Sequence, residues 1–222
     1  MPKQSKGTQK ERKEHMIKDR VLVPPVKIQG IKTKMVPFIR ESVCINEDTT
    51  WIEPFMGSGV VGFNIMPERA VFADINPHII KFYNCIKERK ITSSLVRSFL
   101  EEQGSLLESR EDAYYYEVRE RFNMTHDPLD FLFLNRSCFN GMIRFNRAFA
   151  FNVPFGHKPQ RFSKAYITKI VNQVACIEEL LASHEWIFLC QSFEKTISMA
   201  EGNSFIYCDP PYMGRTVGIR VV

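Results

Sequence analysis

The stretch TTWIEPFMGSGVVGFNIM, residues 49–66, reads as a strand, a turn and a helix in succession. Its β-branched and aromatic beginning predicts a strand, glycines at 57 and 59 interrupt it, and the apolar residues that follow predict a helix packed on a sheet. Such glycines let a ligand approach the backbone at the carboxyl edge of a parallel sheet, where open α/β sheets bind nucleotides. The pattern is not G-x-G-x-x-G, so an ordinary tight turn also explains it.

A second unit of the same kind follows in AVFADINPHIIKFYNC, residues 70–85. A short strand leads into a polar turn and an amphipathic helix that Asp74 or Asn76 can cap, with Pro77 in its first turn. Asp74 lies 15 residues beyond Gly59, close to the spacing of about 20 residues at which an acid binds the ribose hydroxyls of a nucleotide. Capping and ribose binding are compatible roles for this turn.

Strands and helices alternate in the rest of the chain on both sides of an irregular insertion. Paired helices are predicted from Ile91 to about Asn123, and another helix begins at Asp127 and Pro128. A helix, a strand, a short helix and a last strand, SFIYC, follow from residue 165 to 208. This order predicts an α/β fold, a parallel sheet with a helical and irregular subdomain inserted into it.

The insertion is basic. The net charge of the chain is +5, and no Asp or Glu occurs from Phe131 through Ile177. The stretch contains seven cationic side chains, Arg136, Arg144, Arg147, Lys158, Arg161, Lys164 and Lys169, interleaved with phenylalanines. Lysines and arginines bind nucleic-acid phosphates, and a few side chains read base edges. Arg136, Arg144, Arg147 and Asn152 are the candidates for DNA contact because arginine and asparagine read guanine and adenine bidentately, whereas Phe133, Phe151 and Phe155 are predicted to be core.

Several classes of protein are disfavoured. The six cysteines show no C-x-x-C pair and no nearby histidine cluster, which argues against a zinc site or a disulfide framework and predicts reduced thiols in the cytoplasm. No apolar run is long enough to cross a bilayer. The lysine-rich residues 1–20 are not a secretory signal and are predicted to be a disordered tail.

FIYCDPPYMGR, residues 205–215, contains the residues with the clearest chemical role. Two prolines after an apolar strand end it and hold the backbone extended, which presents Asp209 at the sheet edge. Its carboxylate can accept one hydrogen of an exocyclic amine while the carbonyl of Pro210 accepts the other, so that the nitrogen lone pair is directed at an electrophilic methyl group. Tyr212 can stack on a base taken out of its helix. Positioning and fixed dipoles then provide most of the catalysis.

Six motifs occur in an order that resembles the Dam-type DNA adenine methyltransferases, from Lys27 to Tyr212: KIQGIK, EPFMGSG, ADIN, FLFLNRSCFNGMIRFN, FNVPFG and YCDPPY. The resemblance implies a seven-stranded Rossmann-like sheet carrying a DNA-recognition subdomain. It implies that Lys32, Gly57, Gly59, Asp74 and Asp209 hold S-adenosyl-L-methionine, with Asp74 on the ribose. It also implies that the residues from Asp209 to Tyr212 bind the target adenine.

The resulting domain prediction has four parts: a basic tail at 1–20, the first part of the cofactor-binding core at 21–90, the DNA-recognition subdomain at 91–165, and the core continued at 166–222. The predicted function is site-specific methyl transfer to adenine N6 in double-stranded DNA with base flipping, for example in restriction–modification. Cytosine N4 methylation, RNA methylation, and an inactive fragment that only binds DNA or cofactor are the alternatives. A cognate restriction enzyme and a chain completing the sheet are further predicted partners.

Three features depart from the family pattern. Ile28 stands where the family often has an aromatic residue, and the RAFA segment at 147–150 lacks the usual glycine turn, which predicts a different recognition site. After Tyr212 only ten residues follow, too few for the family's remaining strands and helices, since one strand takes about 5 or 6. We therefore expect a truncated product or the first part of a longer or split enzyme.

Overall fold

The computed structural model describes residues 20–211, and it contains a four-stranded parallel sheet with helices packed on it. The strands are β1 (Thr50–Glu53), β2 (Arg69–Asp74), β3 (Glu185–Cys190) and β4 (Ser204–Ile206). Their spatial order is β3-β2-β1-β4. In the register, Trp51 of β1 lies between Ala70 of β2 and Phe205 of β4. The α/β class and the parallel sheet predicted from the sequence are confirmed.

The two central strands, β1 and β2, are mostly apolar and buried on both faces, as is typical of parallel sheets. Trp51 and Ile52 are fully buried in β1, and residues 70–73 of β2 are buried in succession. β4 is shorter than the predicted SFIYC strand, although the amide of Tyr207 still donates to the carbonyl of Ile52 at 2.9 Å. The backbone is therefore still paired two residues before Asp209.

Seven α-helices lie between residues 20 and 211: α1 (Val36–Ser42), α2 (Gly62–Ile65), α3 (Pro77–Lys87), α4 (Ser93–Thr125), α5 (Pro128–Ser137), α6 (Lys164–Ser183) and α7 (Phe193–Ile197). The predicted starts of α3 and α5 are confirmed. The side chain of Asn76 accepts from the amide of His78 at 3.0 Å, and that of Asp127 accepts from the amide of Leu129 at 2.8 Å. Proline occupies the first turn in both helices, where its missing N–H has no intrahelical partner to lose.

The long α4 is two helical segments joined at Glu111, whose backbone leaves the helical region (φ 47°, ψ −125°). This agrees with the paired helices predicted from Ile91 onward. The segments are joined by a polar network in which the Tyr114 hydroxyl donates to Gln103. Arg121 donates to Gln103 at 3.1 Å and to the buried Asp130 of α5 at 2.6 and 2.8 Å. The network fixes α4 against α5.

Three asparagine side chains hold segments that have little regular structure of their own. Each accepts from the N–H and donates to the C=O of one distant residue, as a neighbouring β-strand would. Asn64 binds Leu22 in this way at 2.8 and 2.8 Å, and Asn135 binds Lys27 at 2.8 and 2.9 Å. Asn123 binds Phe151 at 2.7 and 3.2 Å. The first two position the segment that leads to Lys32, and the third fastens a hairpin to α4.

The irregular insertion contains that hairpin, residues 144–152. Phe145 and Phe151 form an antiparallel bridge at its base, and the residues from Arg147 to Phe149 form its exposed tip. Phe133, Phe151 and Phe155, predicted to be core, are each at most 1% exposed. The predicted boundaries at 91 and 165 fall just before α4 and at the beginning of α6.

The remaining sequence predictions concern the cysteines, metal binding, membrane-spanning helices and the N-terminal tail. The six cysteines are free thiols, and no group of metal-ligating side chains occurs between residues 20 and 211. In the same part of the chain, no helix is both long and apolar enough to cross a membrane. The predicted tail at 1–20 lies, apart from Arg20, outside the described residues.

Candidate active site at the carboxyl edge of the sheet

The candidate site lies where the strand order reverses direction. From β1 the chain proceeds through β2 to β3 on one side, whereas β4 lies on the other side of β1. Open α/β sheets bind ligands outside the carboxyl ends of the strands at such a switch point. Glu53 ends β1, Asp74 ends β2, and Asp209 follows β4. Three carboxyl groups are thus located along one edge of the sheet.

Lys32 and Asp209 form an ion pair across this edge. The Nζ of Lys32 lies 2.6 Å from Oδ2 of Asp209, and the two side chains are 21% and 25% exposed. Lys32 also donates to the carbonyl of Gly30 at 3.3 Å, in a turn where Gly30 has a φ of +80°. The structure therefore brings together two residues that the sequence assigned to the cofactor and amine sites. Pro210 is exposed next to them, whereas Tyr212 lies outside the described residues.

Asp74 ties the glycine turn to the end of β2. Its Oδ2 accepts from the amide of Gly57 at 3.0 Å, and its Oδ1 accepts from the amide of Asn76 at 2.8 Å. Burial raises the pKa of Asp74, and these backbone donors partly oppose that rise. The amide of Ile75 is a third backbone donor to this carboxyl group. The two carboxylate oxygens have about four acceptor sites in total, so acceptor capacity remains for a ligand hydroxyl.

Gly57 and Gly59 of the turn differ in what a side chain at each position would contact. Gly57 and Gly59 have φ values of +50° and +77°, which side chains rarely adopt. A Cβ on Gly59 would lie 2.4 Å from the ring of Phe63, whereas one on Gly57 would meet only the end of Ile28 at 3.5 Å. Gly59 is thus required by internal packing, and Gly57 leaves the backbone accessible.

Glu53 is a member of this site that sequence reasoning missed. Its side chain is buried, and one oxygen accepts from the indole of Trp51 at 2.9 Å and from the amide of Gly62 at 3.0 Å. Burial raises the pKa of Glu53 to about 8; the two hydrogen bonds oppose the rise, and the charge of Asp209 adds to it. An acid directly after the apolar pair Trp51 and Ile52, at the end of a predicted strand, was the available signal for it.

Exposed apolar side chains border the same edge. Ile75, the residue after Asp74, is 46% exposed. Phe193, which follows β3, is 41% exposed and stacks on Phe55 with ring centroids 5.3 Å apart. An apolar surface next to a carboxylate suits a ligand that combines a flat ring with hydroxyl groups.

The family model for D12 class N6 adenine-specific DNA methyltransferases matches residues 29–219, which includes every residue of the sheet-edge site. The chain belongs to this family. The match agrees with the resemblance carried by the ordered motifs from KIQGIK to YCDPPY, and the methyltransferase type of Rossmann-like sheet accounts for the observed strand order.

Curated relatives of this D12-class chain are DNA adenine methylases. That of Haemophilus influenzae is 35% identical over 175 residues, which are 75% of this chain and 56% of the relative. Those of Vibrio cholerae and Escherichia coli K12 are each 35% identical over 72% of this chain and 55% of the relative. The chain therefore spans just over half the length of these relatives.

The four DNA-contact candidates of this D12-class chain lie in different environments. Arg147 is exposed at the hairpin tip. Arg144 and Asn152 bind each other, since Nε of Arg144 donates to Oδ1 of Asn152 at 2.8 Å and Nη2 donates to its carbonyl at 3.1 Å. Arg136 is only 2% exposed and donates to Gln173 at 2.5 Å and to the Tyr166 hydroxyl at 3.4 Å. The predicted DNA contact of Arg136 would require its side chain to leave these partners.

Tyr166 gathers three cations that the sequence did not group. Lys27 and Arg136 each lie 5.8 Å from its ring centroid and Arg161 lies 4.8 Å from it. Burial lowers the pKa of Lys27, Tyr166 partly opposes this, and the charges of Arg161 and Arg136 add to the lowering. Burial alone would raise the pKa of Tyr166, but the charges of Arg136 and Lys27 outweigh it and lower that pKa. Two of these cations, Arg136 and Arg161, belong to the acid-free stretch, so part of its positive charge lies beneath the surface.

Proposed function

We propose that this protein transfers a methyl group from S-adenosyl-L-methionine to the exocyclic N6 of adenine in double-stranded DNA. The observation that carries the proposal is the position of Asp209. It follows β4 at the switch point of a D12-class sheet, with Lys32 at 2.6 Å and two prolines after it. Asp74 and the accessible Gly57 border the same edge.

The residues present fit S-adenosyl-L-methionine. When bound, this cofactor supplies an electrophilic methyl group on a sulfonium centre. Asp74 would bind the ribose hydroxyls through the acceptor capacity that its backbone hydrogen bonds leave unused. Ile75 and Phe193 offer an apolar surface to the adenine ring, and Gly57 permits close approach of the backbone. Glu53, the buried last residue of β1, accepts from the indole of Trp51 and from the amide of Gly62, and so connects the end of the strand to α2 behind the glycine turn.

Asp209 and Pro210 would bind the amine that is methylated. One oxygen of Asp209 is held by Lys32, which leaves the other to accept an N–H of the amine, and the carbonyl of Pro210 accepts the second N–H. With both hydrogens held as donors, the nitrogen lone pair would be directed at the methyl group. The N–C bond would form as the S–CH3 bond breaks, S-adenosyl-L-homocysteine would leave, and one amine proton would be released. Positioning of this kind can lower the barrier by several kcal/mol (about 7–11 in well-oriented model reactions) without a covalent intermediate.

The basic insertion would bind the duplex while the target base is flipped into this site. Exposed cations, among them Arg147 and Lys158, neutralise phosphates, and duplex affinity then falls steeply with salt. Assignments that remain predictions from the sequence are a role in restriction–modification, a cytoplasmic location and a partner chain that completes the sheet.

Methyl transfer from tritiated S-adenosyl-L-methionine into unmethylated plasmid DNA tests the proposal. We expect label in N6-methyladenine after digestion to nucleosides, and a loss of at least about 100-fold in Asp209→Ala. Asp48→Ala is the matched control, because the Asp48 side chain is 91% exposed and precedes β1, at the end of the strand away from the site. Label in N4-methylcytosine would identify cytosine, and not adenine, as the substrate base. Folded protein that transfers no label would contradict the proposal.

A further inference from the structure

The hairpin at residues 144–152 is held rigidly at both its base and its tip. At the tip, the side-chain oxygen of Asn146 accepts from the amides of Ala148 and Ala150 at 2.9 and 3.0 Å. The Asn146 amide donates to the carbonyl of Ala150 at 2.9 Å. At the base, Arg144 clamps Asn152 across the two strands, and Asn123 of α4 binds both backbone groups of Phe151. The tip is therefore preorganised.

Phe149 at this tip is energetically unfavourable in two respects, its backbone conformation and the exposure of its ring to solvent. The residue has a φ of +57°, a left-handed conformation that costs a bulky residue about 1 kcal/mol or more. Its side chain is also 64% exposed and is not part of the hydrophobic core. Glycine or asparagine would remove both costs. Internal packing thus gives no reason for phenylalanine here, in the RAFA segment where the family usually has a glycine turn.

The surroundings of Phe149 indicate what the ring contacts. Arg147 is exposed two residues away, and the whole stretch from Phe131 to Ile177 lacks acidic residues. Cations beside an exposed aromatic ring suit a nucleic acid, whose phosphates bind the cations and whose bases stack on the ring. Apolar wedges of this type enter duplex DNA between base pairs and unstack a step.

We propose that Phe149 is a wedge that inserts at a base step of the duplex bound by the basic insertion. The inference rests on the proposed function, since it requires that the chain bind DNA. It assigns the ring a contact with bases, while Arg147 beside it contacts phosphate. Unstacking one step next to the target also lowers the energy needed to extrude a base.

The two buried tryptophans permit a direct test. Trp51 and Trp186 are fully buried, so an indole introduced by Phe149→Trp is the one accessible to the quencher acrylamide. We expect duplex DNA to quench this indole and to shield it from acrylamide, at a protein concentration where anisotropy of labelled DNA shows full binding. Phe38→Trp is the matched control, because Phe38 is 63% exposed on α1, and we expect its indole to stay accessible.

A second pair of measurements separates a DNA contact from a structural role. Phe149→Asn suits a positive φ, so we expect its unfolding midpoint to equal or exceed that of the wild type. Its duplex affinity should fall at least tenfold at fixed salt, with the salt dependence unchanged because no cation is lost. Arg147→Ala should instead reduce the salt dependence.

Three outcomes would overturn the inference. Wild-type protein that binds no duplex overturns it together with the DNA-binding part of the proposed function. Wild-type protein that binds and methylates DNA, with the introduced indole still accessible, overturns the inference alone. Shielding of that indole without DNA would assign Phe149 to a protein contact instead.

Discussion

The ion pair between Lys32 and Asp209 allows catalysis to be separated from stability at the level of single residues. Both side chains are partly exposed, and such pairs contribute about 0–1 kcal/mol. We expect Lys32→Met to shift the unfolding midpoint by less than about 4 °C. Methyl transfer should fall more than about tenfold, because Asp209 loses the group that orients it. Lys34→Met, an exposed neighbour in the same segment, should retain activity. Equal losses of activity in both variants would contradict a specific role for Lys32.

The raised pKa of the single residue Glu53 should make the stability of the protein depend on pH. Its pKa is about 8 in the folded protein and 4.5 when unperturbed, so the folded state binds a proton that the unfolded state releases between these values. This proton stabilises the folded state. Its contribution to the free energy of unfolding is fully present below about pH 4.5 and is lost as the pH rises to 8, by up to about 1.4 kcal/mol per pH unit.

Urea unfolding of wild type and Glu53→Gln from pH 4.5 to 8.5 measures this contribution. The glutamine oxygen can accept the same bonds from Trp51 and Gly62, and its amide does not titrate. We expect the wild type to lose stability relative to Glu53→Gln across the window, whereas Glu47→Gln, an exposed control, should follow the wild type. Parallel profiles for wild type and Glu53→Gln would show that Glu53 is ionised in the native protein.

At the scale of elements, local chemistry predicted much of the fold and long-range contacts decided the remainder. The starts of α3 and α5 could be read from a capping residue followed by proline, because both act within one turn. Arg136 and Arg147 occur in similar local sequence. Arg136 is nevertheless buried against Gln173 and Tyr166 of α6, whereas Arg147 is exposed at the hairpin tip. The meeting of Lys32 with Asp209 came from family resemblance, since no local pattern links the two. Glu53 was missed because its protonation depends on burial.

The asparagine contacts give a prediction for the segment before α1. Asn135 binds the backbone of Lys27 at 2.8 and 2.9 Å and is fully buried. Its removal leaves two backbone groups without partners, each costing about 1–3 kcal/mol. We expect Asn135→Ala to destabilise the protein by about 2–4 kcal/mol and to lower methyl transfer further, because the segment also positions Lys32. Exposed Asn172→Ala on α6 is the control. Unchanged stability in Asn135→Ala would mean that the segment is held elsewhere.

At the scale of the whole molecule, buried aromatic rings connect the sheet to the hairpin. Phe188 of β3 lies 5.5 Å from Tyr83 of α3. On the same helix, His78 lies 6.0 Å from Phe131, and the path continues at 6.0 Å steps through Phe122 of α4 to Phe151. Most of the buried hydrophobic residues, including these rings of the sheet, α3, α4 and the hairpin, form one cluster. A core shared in this way predicts that the sheet and the insertion unfold together.

Calorimetry with and without S-adenosyl-L-methionine tests this coupling. We expect a single transition, and a cofactor at 100 times its Kd should stabilise it by about 2.7 kcal/mol. For a domain of this size the midpoint then rises by about 5–11 °C. Asp74→Ala should abolish the rise, and Asp48→Ala should keep it. The whole transition moves because a ligand held at the sheet edge stabilises every element that shares the core. Two transitions, of which the cofactor moves one, would show instead that the insertion folds independently of the cofactor site and that the aromatic path does not couple them.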